Sequence, residues 1–159
     1  MKKFYIKLLL TILVIFLIIP SYGYSKKINV VTTLGFLKDI TQEIGKDKVN
    51  VISVLKGTEN PHTYEAKPRD IITISKADIF IEIGGGLEGF VDKILKNVKN
   101  KDLKIIILIK NVKLIEKNPH IWLDPENGKL IALKIKNALS EKDPKNKPFF
   151  EENLNLYIE

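Results

Sequence analysis

Ile28-Asn29-Val30-Val31-Thr32-Thr33-Leu34-Gly35-Phe36-Leu37-Lys38-Asp39-Ile40-Thr41-Gln42-Glu43-Ile44-Gly45 changes its apolar period halfway along. The first six residues are mostly β-branched and read as a strand. Phe36-Leu37, Ile40 and Ile44 then recur at helical spacing, and Gly45 supplies the stop. The same alternation repeats downstream. Val49 to Leu55 reads as a second strand, ended by Gly57. Pro68 opens a short helix carrying Ile71, Ile72 and Ile74. Ile79 to Ile83 is a third strand, Leu87 to Val98 a helix, and Lys104 to Ile109 a fourth strand. That last run is almost wholly apolar and predicts cover on both faces. Strands separated by single helices dictate right-handed crossovers and a parallel sheet. The fold class is therefore α/β, a four-stranded parallel sheet flanked by helices. Ligands of such sheets gather at the carboxyl ends of the strands, here the loops after Leu55, Ile83 and Ile109.

Beyond the fourth strand, Asp124-Pro125 predicts a helix start, with an acid at the N-cap and Pro at the first helical position. Ile131, Ile135, Ala138 and Leu139 mark one apolar face down to Ser140. These limits give one lobe over residues 26–140. Residues 141–159 follow, and their last segment, Pro148 to Glu159, carries Phe149, Phe150, Leu154, Tyr157 and Ile158 and runs on with no Gly or Pro stop. An apolar stripe through Phe149, Phe150, Leu154 and Tyr157 is expected to be partly uncovered.

The first 25 residues read as an address. Met1-Lys2-Lys3 is a positive start, Leu8 to Ile19 is apolar except for Thr11, and Pro20 and Ser21-Tyr22-Gly23 follow. Twelve helical residues cover about 18 Å, short of a hydrocarbon core of about 30 Å. Residues 1–25 are thus expected to be a cleaved export signal. Their loss removes Lys2, Lys3 and Lys7 and lowers the formal charge from +7 to +4. The expected location is exported, periplasmic or extracellular. The chain contains no Cys, which excludes disulfides and thiolate metal sites and predicts a product without a lipid-anchor cysteine. The lysines are scattered beside Glu, Asp and Asn without interleaved aromatics, which argues against nucleic acid as a partner.

Two constellations carry chemistry. The chain has two histidines, in Asn60-Pro61-His62-Thr63-Tyr64-Glu65 and Asn118-Pro119-His120-Ile121-Trp122-Leu123-Asp124. Each follows a predicted strand, and each is preceded by a Pro that restricts the loop backbone. Neutral imidazole suits zinc, manganese or iron(II), so two Asn-Pro-His repeats in equivalent loops point to one shared metal site. Two imidazoles do not complete a coordination shell. The spare acids are Glu59, Glu65 and Asp124; Asp124 is better used as an N-cap, and Glu65 as a supporting group. The second constellation, Gly84-Gly85-Gly86-Leu87-Glu88-Gly89, satisfies Gly-x-Gly-x-x-Gly. A dinucleotide fingerprint requires an acid after the next strand, where Lys110 and Asn111 stand, so a tight strand-to-helix turn is the better reading.

With these residues in place, the chain resembles the zinc/manganese solute-binding proteins of ABC importers, the TroA-like or ZnuA-like family. The resemblance runs in order through Val31-Thr32-Thr33, Pro61-His62-Thr63-Tyr64-Glu65, Pro68-Arg69-Asp70, Ala77-Asp78 and Gly86-Leu87-Glu88-Gly89-Phe90. It ends with Pro119-His120-Ile121-Trp122-Leu123-Asp124-Pro125. It implies a non-enzymatic protein that captures a divalent ion and passes it to a membrane permease. It also implies two α/β lobes joined by a long helix, with metal between them and His62 and His120 as the ligands of the first lobe. Residues 141–159 would be the truncated start of that helix, and the remaining ligands would come from a C-terminal lobe this chain lacks. A surface adhesin of the same family, an inactive product of a truncated gene, and a metal-dependent hydrolase using Glu65 as base are the alternatives.

Overall fold

The computed structural model describes residues 26–112, 114 and 116–159. The export signal expected over residues 1–25 lies outside them. Among the described residues no helix is long and apolar enough to cross a membrane.

Four parallel strands form one sheet: β1 (Ile28–Thr32), β2 (Val49–Ser53), β3 (Ile79–Glu82) and β4 (Lys104–Ile107), in spatial order β2-β1-β3-β4. Registry runs Ile28 to Val49 across β1 and β2, Val30 to Ile79 across β1 and β3, and Ile79 to Lys104 across β3 and β4. The helices are α1 (Gly35–Gly45), α2 (Pro68–Ser75), α3 (Val91–Leu95), α4 (Pro125–Lys142) and α5 (Lys147–Ile158). The chain steps from β1 one way to β2 and then back across β1 to β3. Right-handed crossovers place α1 on one face of the sheet and α2 on the other. The packing agrees: α1, α4 and α5 pack on one another, and α2 packs on α3. The core between these layers holds Leu37 and Ile44 of α1, Phe80 and Ile81 of β3, and Ile135 and Leu139 of α4, all fully buried.

Three sequence expectations change. The helix expected over Leu87–Val98 shortens to Val91–Leu95, because Glu88 turns back into the protein instead of facing solvent. Its carboxylate accepts hydrogen bonds from Thr33 Oγ1 at 2.7 Å, the Ile83 N–H at 2.9 Å and the Gly84 N–H at 3.0 Å. The glycines before it have positive φ, and a Cβ at Gly84 would lie 2.5 Å from Ile107 Cγ2. The glycine-rich segment is thus a tight turn pressed against β4. Second, β4 is an edge strand rather than a doubly covered one, and Ile105 is 42% exposed. Among the described residues, the next α-helix after β4 is α4, which begins only at Pro125.

Third, residues 141–159 are not one continuous helix. Pro144 lacks an N–H and forces Asp143 out of the helical region, to φ −133° and ψ 79°. A 3₁₀ turn at Pro144–Asn146 reverses the chain, and α5 returns along α1 and α4. Phe150 and Leu154 enter the common core, Asn153 Nδ2 donates to the Ile44 carbonyl at 2.9 Å, and Lys136 pairs with Glu151 at 2.6 Å. The apolar stripe is therefore half covered. Phe149 is half-buried, while Leu156, Tyr157 and Ile158 stay exposed.

The N-cap expected at Asp124 is present, with its Oδ1 accepting the Glu126 N–H at 2.9 Å. Asp124→Ala should lower the unfolding free energy by about 1 kcal/mol, the usual cost of losing an acidic N-cap. Urea denaturation showing no loss would mean that Pro125 alone fixes the start of α4.

Candidate metal centre

The loops after β2 and β4 both leave the carboxyl edge of the sheet, and each carries one histidine. Val54 and Leu55 continue β2 alongside Thr32 and Thr33, and Leu108 and Ile109 continue β4 alongside Glu82 and Ile83. These backbone bonds aim both loops in the same direction. His62 Nε2 and His120 Nε2 meet 3.5 Å apart, with ring centroids separated by 5.5 Å and planes inclined by 53°. The two Asn-Pro-His repeats converge on one point.

Each repeat folds the same way. Asn60 Oδ1 accepts the His62 N–H at 2.9 Å, and Asn118 Oδ1 accepts the His120 N–H at 3.0 Å. This is the turn in which an Asn side chain bonds the backbone two residues on, and the intervening Pro fixes φ within it. The surroundings of the two rings differ. His120 is half-buried, lies 5.1 Å from the ring of Trp122, and has its Nδ1 2.6 Å from Asn118 Oδ1. Trp122 is backed in turn by Phe36 at 5.2 Å. His62 is exposed, and its loop is held from a distance. Glu59 accepts the Lys56 N–H at 2.8 Å, an interaction that holds its carboxyl below the usual range. Tyr64 OH donates to Asp70 Oδ2 at 2.9 Å, and the same oxygen accepts the Lys67 N–H at 2.8 Å. Burial of Tyr64 and its bond to Asp70 raise the phenol's pKa.

The spare acids stay apart from the imidazoles. Glu59 is used in its own turn, and Asp124 caps α4. Glu65 is exposed, on the wall of a cavity of about 580 Å³ that His62, Tyr64 and Phe90 also line. Among the described residues no three His, Asp or Glu side chains are grouped closely enough to hold an ion. Sequence reasoning found the histidines and missed Asn60 and Asn118. The signal was there in the Asn placed two residues before each His, the spacing of a side-chain turn.

Residues 30–159 match the family model described as zinc-uptake complex component A, periplasmic. Similar proteins include the metal ABC transporter substrate-binding lipoprotein FimA of Streptococcus parasanguinis, 39% identical over 87% of this chain and 50% of its own length. The manganese ABC transporter substrate-binding lipoprotein PsaA of Streptococcus pneumoniae is 38% identical over 87% of this chain and 49% of its own. Among solved structures, the Zn(II)-bound ZnuA-like domain of Streptococcus pneumoniae AdcA superimposes with a TM-score of 0.75 at 30% identity. The match covers 83% of this chain and 51% of that domain. The Mn-bound periplasmic metal binding protein of candidatus liberibacter asiaticus gives 0.77 at 32%, over 83% of this chain and 52% of its own. The chain spans about half the length of the curated relatives it matches. One expectation is corrected here. A product without a lipid anchor was read from the missing cysteine, but the relatives are named lipoproteins. The absence of Cys describes these 159 residues and says nothing about anchorage. With the match across residues 30–159 and these relatives and folds in agreement, the chain belongs to the family described as zinc-uptake complex component A, periplasmic.

Proposed function

We propose that this chain captures a divalent transition-metal ion, zinc or manganese, and passes it to the permease of an ABC importer, with His62 and His120 as the ligands it contributes. The observation that carries this reading is the 3.5 Å separation of the two Nε2 atoms. Zinc lies about 2.0–2.1 Å from each imidazole nitrogen, and tetrahedral geometry then sets two such nitrogens about 3.4 Å apart. The pair is spaced as one ion requires, although 58 residues of chain separate its members. The relatives' names supply both metals: manganese for the PsaA protein, and zinc and manganese for the two solved structures. Glu65 stands near enough along the chain to support the His62 loop, but not as a third ligand in this arrangement. The other coordination positions are filled by water, or by groups from the half of the relatives' length that this chain does not span.

Half a donor set binds weakly. Complete structural zinc sites reach about 10–16 kcal/mol of apparent binding energy at neutral pH. Two imidazoles on one wall should retain about 8 kcal/mol or less, a dissociation constant in the micromolar range or weaker. Zinc should bind more tightly than manganese, as nitrogen donors order these ions. Calorimetric titration of the chain with Zn²⁺ and Mn²⁺ tests this, with one ion per chain expected. No Zn²⁺ binding at millimolar metal would overturn the metal-capture reading. Nanomolar affinity in a monomeric preparation would overturn the half-site, and Glu59, Glu65 or Asp124 would then have to complete the shell.

A further inference from the structure

The two histidines share a motif and a loop geometry, yet their rings are held differently. We propose that Asn118 is a positioning residue that fixes the Nδ1–H tautomer of His120, making His120 the pre-set member of the pair and His62 the member that adapts. The inference rests on the proposed metal-capture role.

Asn118 Oδ1 stands 3.0 Å from the His120 backbone nitrogen and 2.6 Å from its Nδ1. The backbone N–H can only donate, so the atom facing it is the carboxamide oxygen and not the NH₂ group. A carboxamide oxygen has no proton to give. The close ring contact is therefore favourable only when His120 Nδ1 carries the hydrogen. In a neutral imidazole this leaves Nε2 as a bare lone pair, directed at His62. Contact with the Trp122 ring, tilted by 59° at a centroid distance of 5.1 Å, limits its other rotations. Asn60 makes only the backbone half of this arrangement. It bonds the His62 N–H at 2.9 Å, and the polar contact of the exposed His62 ring is His120 Nε2 itself.

The second tautomer follows from the first. Two bare lone pairs 3.5 Å apart repel, so His62 must present Nε2–H to His120 in the metal-free pair. At that length the hydrogen bond is weak and opens at little cost. An ion arriving at His120 meets a ligand already in its binding form. His62 must then lose the proton from Nε2 and gain one at Nδ1 through solvent, with no net change in charge.

Long-range ¹H–¹⁵N imidazole spectra of the metal-free full chain, at a pH where both rings are neutral, read the two tautomers directly. His120 is expected as Nδ1–H and His62 as Nε2–H. Asn118→Ala should leave His120 in mixed tautomers and weaken Zn²⁺ binding about 10–100-fold, the usual effect of removing a histidine's outer partner. Asn118→Asp keeps an acceptor at the same place and should restore both the tautomer and the affinity. Asn60→Ala should leave the His62 tautomer unchanged. Nδ1–H persisting on His120 in Asn118→Ala would overturn the proposal, as would Nε2–H on His120 in the parent chain. A parent chain with the expected tautomers but no Zn²⁺ binding would instead sink the metal-capture role and leave the tautomer assignment standing.

Discussion

His62→Ala and His120→Ala should each lower the Zn²⁺ affinity by more than about 100-fold, because loss of an outer partner alone costs about 10–100-fold. With micromolar binding in the parent chain, each single variant should show no saturable heat in a calorimetric titration. The double variant should look like either single, since ligands of one shared ion do not contribute independently. Stability should barely change. His62 is exposed, and a surface truncation stays within about 0.5 kcal/mol. His120 gives up its contacts with Trp122 and Asn118 and should lose somewhat more. If either single variant keeps the parent affinity, that histidine is not a ligand. If the two losses add, the histidines serve separate ions despite their 3.5 Å separation.

The sheet was legible because its signals are local. Each strand is a short β-branched or apolar run, and Gly45, Gly57 and Pro68 punctuate the chain where elements end or begin. What sequence reasoning placed wrongly depended on contacts distant in the chain. The helix expected from Leu87 began late because Glu88 reaches Thr33, 55 residues away. Nothing in the pattern around Glu88 distinguishes a solvated acid from a buried acceptor of three hydrogen bonds. The exposure of β4 depended on which strand lies at the edge, and an apolar run alone does not carry that order. The reversal of α5 hinged on Pro144, which was visible. Its partner Ile44, the acceptor for Asn153, lies 109 residues upstream and was not.

The site was half legible for a related reason. The histidines announced themselves by scarcity and by a repeated tripeptide, and parallel strand topology predicted that their loops share one edge. Which further side chains serve the pair depended on a few tenths of an ångström in loop geometry. Asn60 and Asn118 occupy identical places in the motif, and only the latter lies against its histidine's ring. Glu65 sits three residues from His62 and lines the same cavity, but it does not join the two histidines in a group of three that could hold an ion.

Glu82→Gln should stabilise the protein at pH 8 by about 3 kcal/mol and leave it nearly unchanged near pH 4.5. Glu82 lies on β3, only 8% exposed, with the carboxylates of Glu88 and Asp92 nearby and Lys110 as a weaker opposing charge. Burial above all, then the charge of Glu88, raises its pKa from 4.5 to about 7. The sign follows from proton counts. Below pH 4.5 the group is protonated in folded and unfolded chains alike, and burial carries no charge penalty. Between 4.5 and 7 the unfolded chain has released the proton while the folded chain keeps it, so stability falls as pH rises. Above about 7 both forms are ionised and the full cost remains, about 1.4 kcal/mol for each pKa unit. Gln fills the same space, carries no charge at any pH, and removes this slope. Urea unfolding of parent and variant at pH 4.5, 6 and 8 isolates the effect, because every other titrating group is common to both chains. The difference between them should grow steadily across that range. A difference that stays constant with pH would mean that Glu82 binds its proton equally well in the folded and unfolded chains, with Lys110 offsetting its burial.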